Sequence, residues 1–229
     1  MKWRQSSRSR LRVREMPCER LVASGRNGDC MIPTIGIIGG IGSGKSLVAD
    51  AMHNLGGYLI SDDQLGHEAL QQADIKGKLV ERWGNEILDE RREADRKEIG
   101  RIVFADAAEL RALEALVFPY IEKRIAEEMA RARARPDVKF IILDAAIMLE
   151  TLWHRQCDKI VFVDSPWELR LERLKEKRGW DEQEVHRRAS VQMPLKEKKR
   201  RADATIVNDA DAQKVSRQVQ VTLEQWKVI

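Results

Sequence analysis

One octapeptide narrows what this chain can fold into more than any other feature: Gly39-Gly40-Ile41-Gly42-Ser43-Gly44-Lys45-Ser46. It meets the spacing G-x-x-x-x-G-K-[ST] in full, with the apolar run "TIGII" (34–38) before it and a helical pattern after it. Glycine loses more chain entropy on folding than any other residue, so a cluster of glycines needs a backbone reason. A loop whose amides all point inward supplies one. It requires shapes that a Cβ would obstruct, and it lets bare backbone approach phosphate oxygens. The helix that follows adds unpaired N–H groups and the positive end of its dipole. Gly40, Ile41, Gly42, Ser43, Gly44, Lys45 and Ser46 are therefore candidate nucleotide-binding residues. Lys45 is expected to reach the β- and γ-phosphates, and Ser46 to ligate Mg²⁺. Such a loop fits kinases, GTPases and motors alike. The chain has no Asn-Lys-x-Asp for guanine and no LSGGQ-like signature.

Five short runs read as strands: "TIGII" (34–38), "YLI" (58–60), "KFIILD" (139–144), "KIVFVD" (159–164) and "ATIVN" (204–208). Four are too uniformly apolar for a sheet wet on one face, which predicts parallel strands covered by helices on both sides. Helical stretches between them give a βαβ rhythm and an α/β class. Ser165-Pro166-Trp167-Glu168 predicts a helix start with Ser165 as N-cap. Asp181 with Glu184, and Asp95 with Glu98, predict two more. Gly56-Gly57 predicts the end of the helix after the phosphate loop. Between Asp63 and Pro136 no strand is predicted. Its second half is a long amphipathic pattern expected to kink at Pro119.

The formal charge of +4 is unevenly spread. Residues 1–30 hold eight Lys/Arg against three acids, while the rest holds 33 basic and 34 acidic residues. The body therefore shows no global nucleic-acid footprint. The leader has no apolar core of a secretory signal, and its acids argue against an organellar transit peptide. It is expected to be a disordered tail, or an extension upstream of a start at Met31. No run reaches the ~20 apolar residues of a membrane span. Cys18, Cys30 and Cys157 lack metal-ligand spacing, and Cys157 reads as an inert thiol in a reducing compartment.

The second predicted strand ends in Ser61-Asp62-Asp63. Carboxyl ends of parallel strands converge on the ligand crevice, so a carboxylate there can orient an attacking hydroxyl and accept its proton. Asp63 is the first choice and Asp62 the second; one of them can instead cap the next helix. Asp144 ends the third strand, either as a Walker-B-like acid holding a magnesium-bound water or as the residue of a strand-terminating turn.

In these residues the chain resembles the dephospho-coenzyme A kinase family. The phosphate loop is generic, but several matches follow in order: Ser61-Asp62-Asp63 against a D-A-D segment, "EIGRIVFADAAELRALEALVFPYI" (98–121), "DAAIMLE" (144–150), "VFVDSPWELRLERLKEKRG" (161–179) and "QMPLKEKKRRADATIVND" (192–209). Together they span about 31 to 229. The resemblance implies a P-loop kinase fold with a five-stranded parallel sheet flanked by helices, a helical substrate-binding insertion and a lid. It implies a core of 31–62, 137–186 and 202–229, an acceptor-binding insertion at 63–136 and a lid at 187–201. It puts Asp63 on the catalytic aspartate, Arg188 on a lid arginine acting with Lys45, and Arg178 before the lid helix. It implies a cytoplasmic enzyme that uses ATP and Mg²⁺ to phosphorylate the ribose 3′-hydroxyl of dephospho-coenzyme A. No nucleic-acid, membrane or obligate protein partner is implied. The chain departs from the pattern at Ser61, His67, Phe118 and Ala146. Those departures keep two alternatives open: another small-molecule or nucleoside monophosphate kinase, and a nucleotide-binding regulatory protein without activity.

Overall fold

The computed structural model describes residues 32–229. The basic leader, 1–30, lies outside the described residues. The five predicted strands form at β1 (Thr34–Gly39), β2 (Gly57–Ser61), β3 (Phe140–Asp144), β4 (Lys159–Asp164) and β5 (Ala204–Val207). They make one parallel sheet in the order β2-β3-β1-β4-β5.

Alternating side chains explain why so many apolar residues are needed. Ile35 and Ile37 of β1, Phe140 and Ile142 of β3, and Val161 and Val163 of β4 face one layer. There they meet Val48 and Met52 of α1 (Lys45–His53), and Val215, Val219 and Leu223 of α9 (Ala212–Gln225). Ile38, Ile141, Leu143 and Phe162 face the opposite layer. A strand buried on both faces must be apolar at every position, the parallel-sheet signature. Each fully buried Ile, Leu or Phe contributes about 1.5–3 kcal/mol.

The opposite layer is formed by α2 (Asp62–Gln71), α3 (Ala73–Trp83), α4 (Arg96–Val103) and α5 (Ala107–Arg133). This is the helical stretch expected after Asp63. Between 63 and 136 the only strand-like feature is an isolated bridge, Leu88 to Ala94. Pro119 does not end α5, which continues through it. The missing proline N–H leaves one carbonyl without its helical donor. Val117, Ile121, Ile125 and Met129 bury a face of the helix on both sides of Pro119, and that packing carries the helix through it.

Three further helices, α6 (Trp167–Arg178), α7 (Glu182–Ser190) and α8 (Leu195–Arg201), lie between β4 and β5. The caps at Asp95 and Asp181 form: Asp95 accepts from the amides of Lys97 and Glu98, and Asp181 from that of Glu184 at 2.7 Å. The expected cap at Ser165 does not form. Pro166 occupies the N-cap position without a side-chain bond. The Ser165 hydroxyl instead accepts from Arg173 Nη1 at 3.1 Å, so a tertiary partner takes the group that a local cap would use. After α1 the chain turns at Gly56, φ +105°, and Gly57 already belongs to β2. Cys157 is a free thiol with Sγ 3.6 Å from Met148 Sδ. Burial pushes its pKa up to about 12, as an inert thiol requires. Among the described residues no helix is long and apolar enough to cross a membrane.

The strand order positions the site. β1 is central, the chain runs first to β2 and β3 on one side, then crosses to β4 and β5 on the other. The reversal opens a crevice at the carboxyl ends of β3, β1 and β4, where the phosphate loop leaves β1.

Candidate active site

The loop holds the shape its composition predicts, and the structure shows what fixes it. Gly42 and Gly44 have φ of +75° and +82°, which side chains avoid. Gly44 is the N-cap of α1, whose first turn carries no acidic side chain, so nothing on that turn competes with an anion for its amides. The loop carbonyls are engaged on the outside. Arg170 Nε donates to Ile41 O at 2.8 Å, and Asn208 Nδ2 donates to Ser43 O at 2.8 Å. Arg173 joins the two: Nη2 donates to Asn208 Oδ1 at 3.1 Å, while Nη1 lies 3.5 Å from Gly42 O and Ser43 O. The Ser43 amide is used within the loop, donating to Gly40 O at 3.1 Å, and with these carbonyls engaged the other loop amides are left for a ligand. Gly40 is also needed for space, since a Cβ there would lie 2.6 Å from Arg170 Nη2.

Arg170, Arg173 and Asn208 are supporting residues that sequence reasoning did not single out. Arg170 is 5% exposed, and burial lowers its pKa, partly offset by Asp164. The i, i+3 spacing of the two arginines on the helix after β4 is the only local signal, and it does not point to the loop. Ser43 is fully buried with its hydroxyl unpaired, so of the two serines in the loop only Ser46 is exposed.

Opposite the loop, the ends of β2 and β3 gather carboxylates. Ser61 is paired in register with Asp144, and Asp144 with Ile37 of β1. Asp144 Oδ1 is buried without a hydrogen-bond partner in the protein. Burial raises the Asp144 pKa, Lys45 lowers it and Asp63 raises it again. Asp62 is pushed up to about 7, first by burial, then by Asp144 and Asp63, with Lys45 opposing. These mutual influences bring Lys45, Asp62, Asp63 and Asp144 into one electrostatic cluster. Asp63 sits at the mouth, its side chain 71% exposed, with Oδ1 3.6 Å from Arg96 Nη2. Asp62 lies deeper than Asp63. An exposed carboxylate can accept a proton, and an unpaired buried oxygen at Asp144 suits the shell of a hydrated cation.

The basic segment divides in an unexpected way. Lys199, Arg200 and Arg201 are exposed surface charges, but Lys198 is fully buried. Its Nζ donates to Ala146 O at 2.5 Å and pairs with Glu150 Oε1 at 3.0 Å. Burial lowers its pKa, and Glu150 opposes that shift. Glu150 also accepts from the Met193 amide at 2.7 Å, so one ammonium–carboxylate pair ties the start of α8 to the turn after Asp144. Lys198→Met should therefore destabilise the protein by about 1–3 kcal/mol in urea unfolding. This is less than a fully buried pair would lose, because Glu150 remains 23% exposed. An unchanged unfolding midpoint would dismiss the strut.

Arg188 sits where α4 and α7 meet. Its guanidinium carbon lies 4.1 Å from both the Phe104 and the Trp180 ring centroids, and Nε bonds Glu184. Burial lowers its pKa to about 10, reinforced by Arg178 and Arg187. Arg178 stacks over Trp180 at 4.8 Å. Both arginines thus rest on aromatic rings in this structure, Arg178 on Trp180 and Arg188 between Trp180 and Phe104 of the insertion.

The four departures also find places. Ser61 closes β2 and His67 is exposed on α2. Phe118 packs edge-to-face on the buried Trp153, centroids 5.5 Å apart. Ala146 contributes a carbonyl to Lys198, a role any residue with a free backbone oxygen can fill.

A phosphate loop at the switch point of a five-stranded parallel sheet, with carboxylates at the ends of β2 and β3 beside it, defines a P-loop kinase. The sequence model of the dephospho-CoA kinase family matches residues 33–214. The chain is 34% identical over 200 residues to the dephospho-CoA kinase of Geobacillus kaustophilus, covering 87% of this chain and 99% of that protein. It is 35% identical over 192 residues to that of Aquifex aeolicus, covering 83% and 96%. Among solved structures, TT1252 from Thermus thermophilus is similar with a TM-score of 0.68 at 30% identity, over 84% of this chain and 97% of that one. The dephospho-CoA kinase from Campylobacter jejuni shares the fold, with a TM-score of 0.56 at 22% identity over 85% and 97%. The chain belongs to the dephospho-CoA kinase family, and ATP is the phosphate donor that membership entails.

Proposed function

We propose that this protein transfers the γ-phosphoryl group of ATP to the ribose 3′-hydroxyl of dephospho-coenzyme A, giving coenzyme A and ADP. The observation that carries the reading is a phosphate loop leaving β1 beside the carboxylates at the ends of β2 and β3. The ATP phosphates lie on the amides of Gly40–Ser46, with the Lys45 ammonium on the β- and γ-oxygens. Asp63 orients the 3′-hydroxyl in line with the γ-phosphorus and takes its proton as the new O–P bond forms. The β–γ bridging oxygen leaves on ADP. Ser46 and, through water, Asp144 would hold Mg²⁺, which offsets phosphate charge when bound. Arg188, in a lid at 187–201 that closes over ATP, offsets charge on the equatorial oxygens. Segment 63–136 receives the acceptor. The reading places the enzyme in the cytoplasm.

Product mass after incubation with ATP, Mg²⁺ and dephospho-coenzyme A tests this. A gain of one phosphate on the ribose is expected, with no comparable transfer to AMP, CMP or shikimate. Transfer to one of those in preference would move the protein to a different acceptor. Nucleotide binding with no acceptor-dependent ADP would make it a regulatory protein.

A further inference from the structure

We propose that Arg96 receives the 5′-diphosphate of the acceptor and so sets the acceptor's ribose against Asp63. The proposal rests on the reading of the site just given, and makes Arg96 a positioning residue of that site.

Arg96 opens α4, and its backbone is fixed by the neighbouring cap, where Asp95 Oδ1 accepts from the Lys97 amide at 2.7 Å and the Glu98 amide at 3.4 Å. From this anchored base the side chain spans to another helix, bringing Nη2 to 3.6 Å from Asp63 Oδ1 in the first turn of α2. Other guanidinium groups of the insertion are directed elsewhere. Arg82 holds Glu109 through two bonds, at 2.7 and 2.8 Å. Arg124 is shared among Glu68, Glu127 and Glu128, and Arg131 also binds Glu128. Arg96 is the arginine whose partner is the base of the proposed reaction.

The contact is built to be exchanged. Arg96 is 52% exposed and Asp63 71%, and an exposed pair at this separation contributes little to stability. A phosphate diester offers the guanidinium fork two oxygens in a matching plane, a stronger partner than one distant carboxylate oxygen. In a nucleoside 5′-diphosphate ester the 3′-hydroxyl and the first phosphate hang from the same ribose, only a few bonds apart. A cation beside the base is therefore within reach of the diphosphate when the 3′-hydroxyl rests on that base. The exchange has a chemical consequence. Drawn off by the acceptor, Arg96 leaves the Asp63 carboxylate uncovered at the moment a hydroxyl is present.

Steady-state kinetics of the full chain with ATP, Mg²⁺ and dephospho-coenzyme A, for wild type, Arg96→Ala and Arg96→Lys, test the proposal. Calorimetric binding of dephospho-coenzyme A without ATP runs alongside. Arg96→Ala should raise both the KM and the Kd for dephospho-coenzyme A about 10- to 100-fold, the loss of a charge-assisted contact. Arg96→Lys should recover part of it, and the KM for ATP should stay within about twofold. A KM and Kd for dephospho-coenzyme A within about twofold of wild type, or a KM for ATP that rises in parallel, would overturn it. A wild type that neither binds nor phosphorylates dephospho-coenzyme A overturns the kinase reading as well. A competent wild type with an indifferent Arg96→Ala overturns this inference alone.

Discussion

Asp63→Asn should lose about 10²- to 10⁴-fold in kcat while retaining ATP affinity, because a general base contributes in that range and touches no donor phosphate. Asparagine keeps the size and one acceptor oxygen of the side chain but cannot take a proton. The side chain is 71% exposed, so the substitution leaves packing intact and the unfolding midpoint should not move. Nucleotide titration and single-turnover kinetics on the same preparation separate the outcomes. If turnover stays at the wild-type level, Asp63 is not the base, and the deeper Asp62 takes its place as the candidate. If ATP affinity falls with turnover, the carboxylate acts on the nucleotide instead of the hydroxyl. The comparison with Asp62→Asn is informative, since Asp62 lies inward of Asp63 and is coupled to Lys45. A loss confined to Asp63→Asn would assign proton transfer to the mouth of the crevice.

Gly44→Ala should be nearly as damaging by a different route. Gly44 has φ +82°, and a side chain in that conformation costs about 1–2 kcal/mol. Its Cβ would also lie 2.1 Å from Asn208 Nδ2. Asn208 would have to retreat, leaving the Ser43 carbonyl and Arg173 without their shared partner, a further ~1–3 kcal/mol. The amides aimed at the phosphates would shift, and misplacement of a reacting group by about an ångström lowers turnover about 10²-fold. Urea unfolding with and without ATP reads both effects, and stabilisation by ATP should shrink sharply. Gly44→Ala combined with Asn208→Ala removes the collision but not the backbone strain, so it should recover only part of the loss. Full recovery would show that crowding alone requires glycine there; no loss in the single variant would mean the loop tolerates another shape.

The lid arginine illustrates how far a motif carries. The order of motifs put Arg188 in a lid at 187–201, and the residue stands near the end of α7. What the side chain touches was not legible: Phe104 comes from the end of α4 and Trp180 from before α7, 76 positions apart in the chain. Lys198 is similar. In sequence it is one of several lysines and arginines in a row, and only the packed turn after Asp144 distinguishes it from its solvated neighbours.

By itself the sequence determined the phosphate loop, the five strands, the helical stretch after Asp63 and the caps at Asp95 and Asp181. Each is a local property: glycine's freedom, the period of two or 3.6, and a side chain bonding an amide a few residues away. Only the tertiary structure decided the strand order, the grip of Arg170, Arg173 and Asn208 on the loop, the burial of Lys198, the bracket around Arg188 and the meeting of Arg96 with Asp63. Those contacts join residues that no short-range pattern relates, because crossing connections bring distant segments together and burial selects which of several like charges is paired.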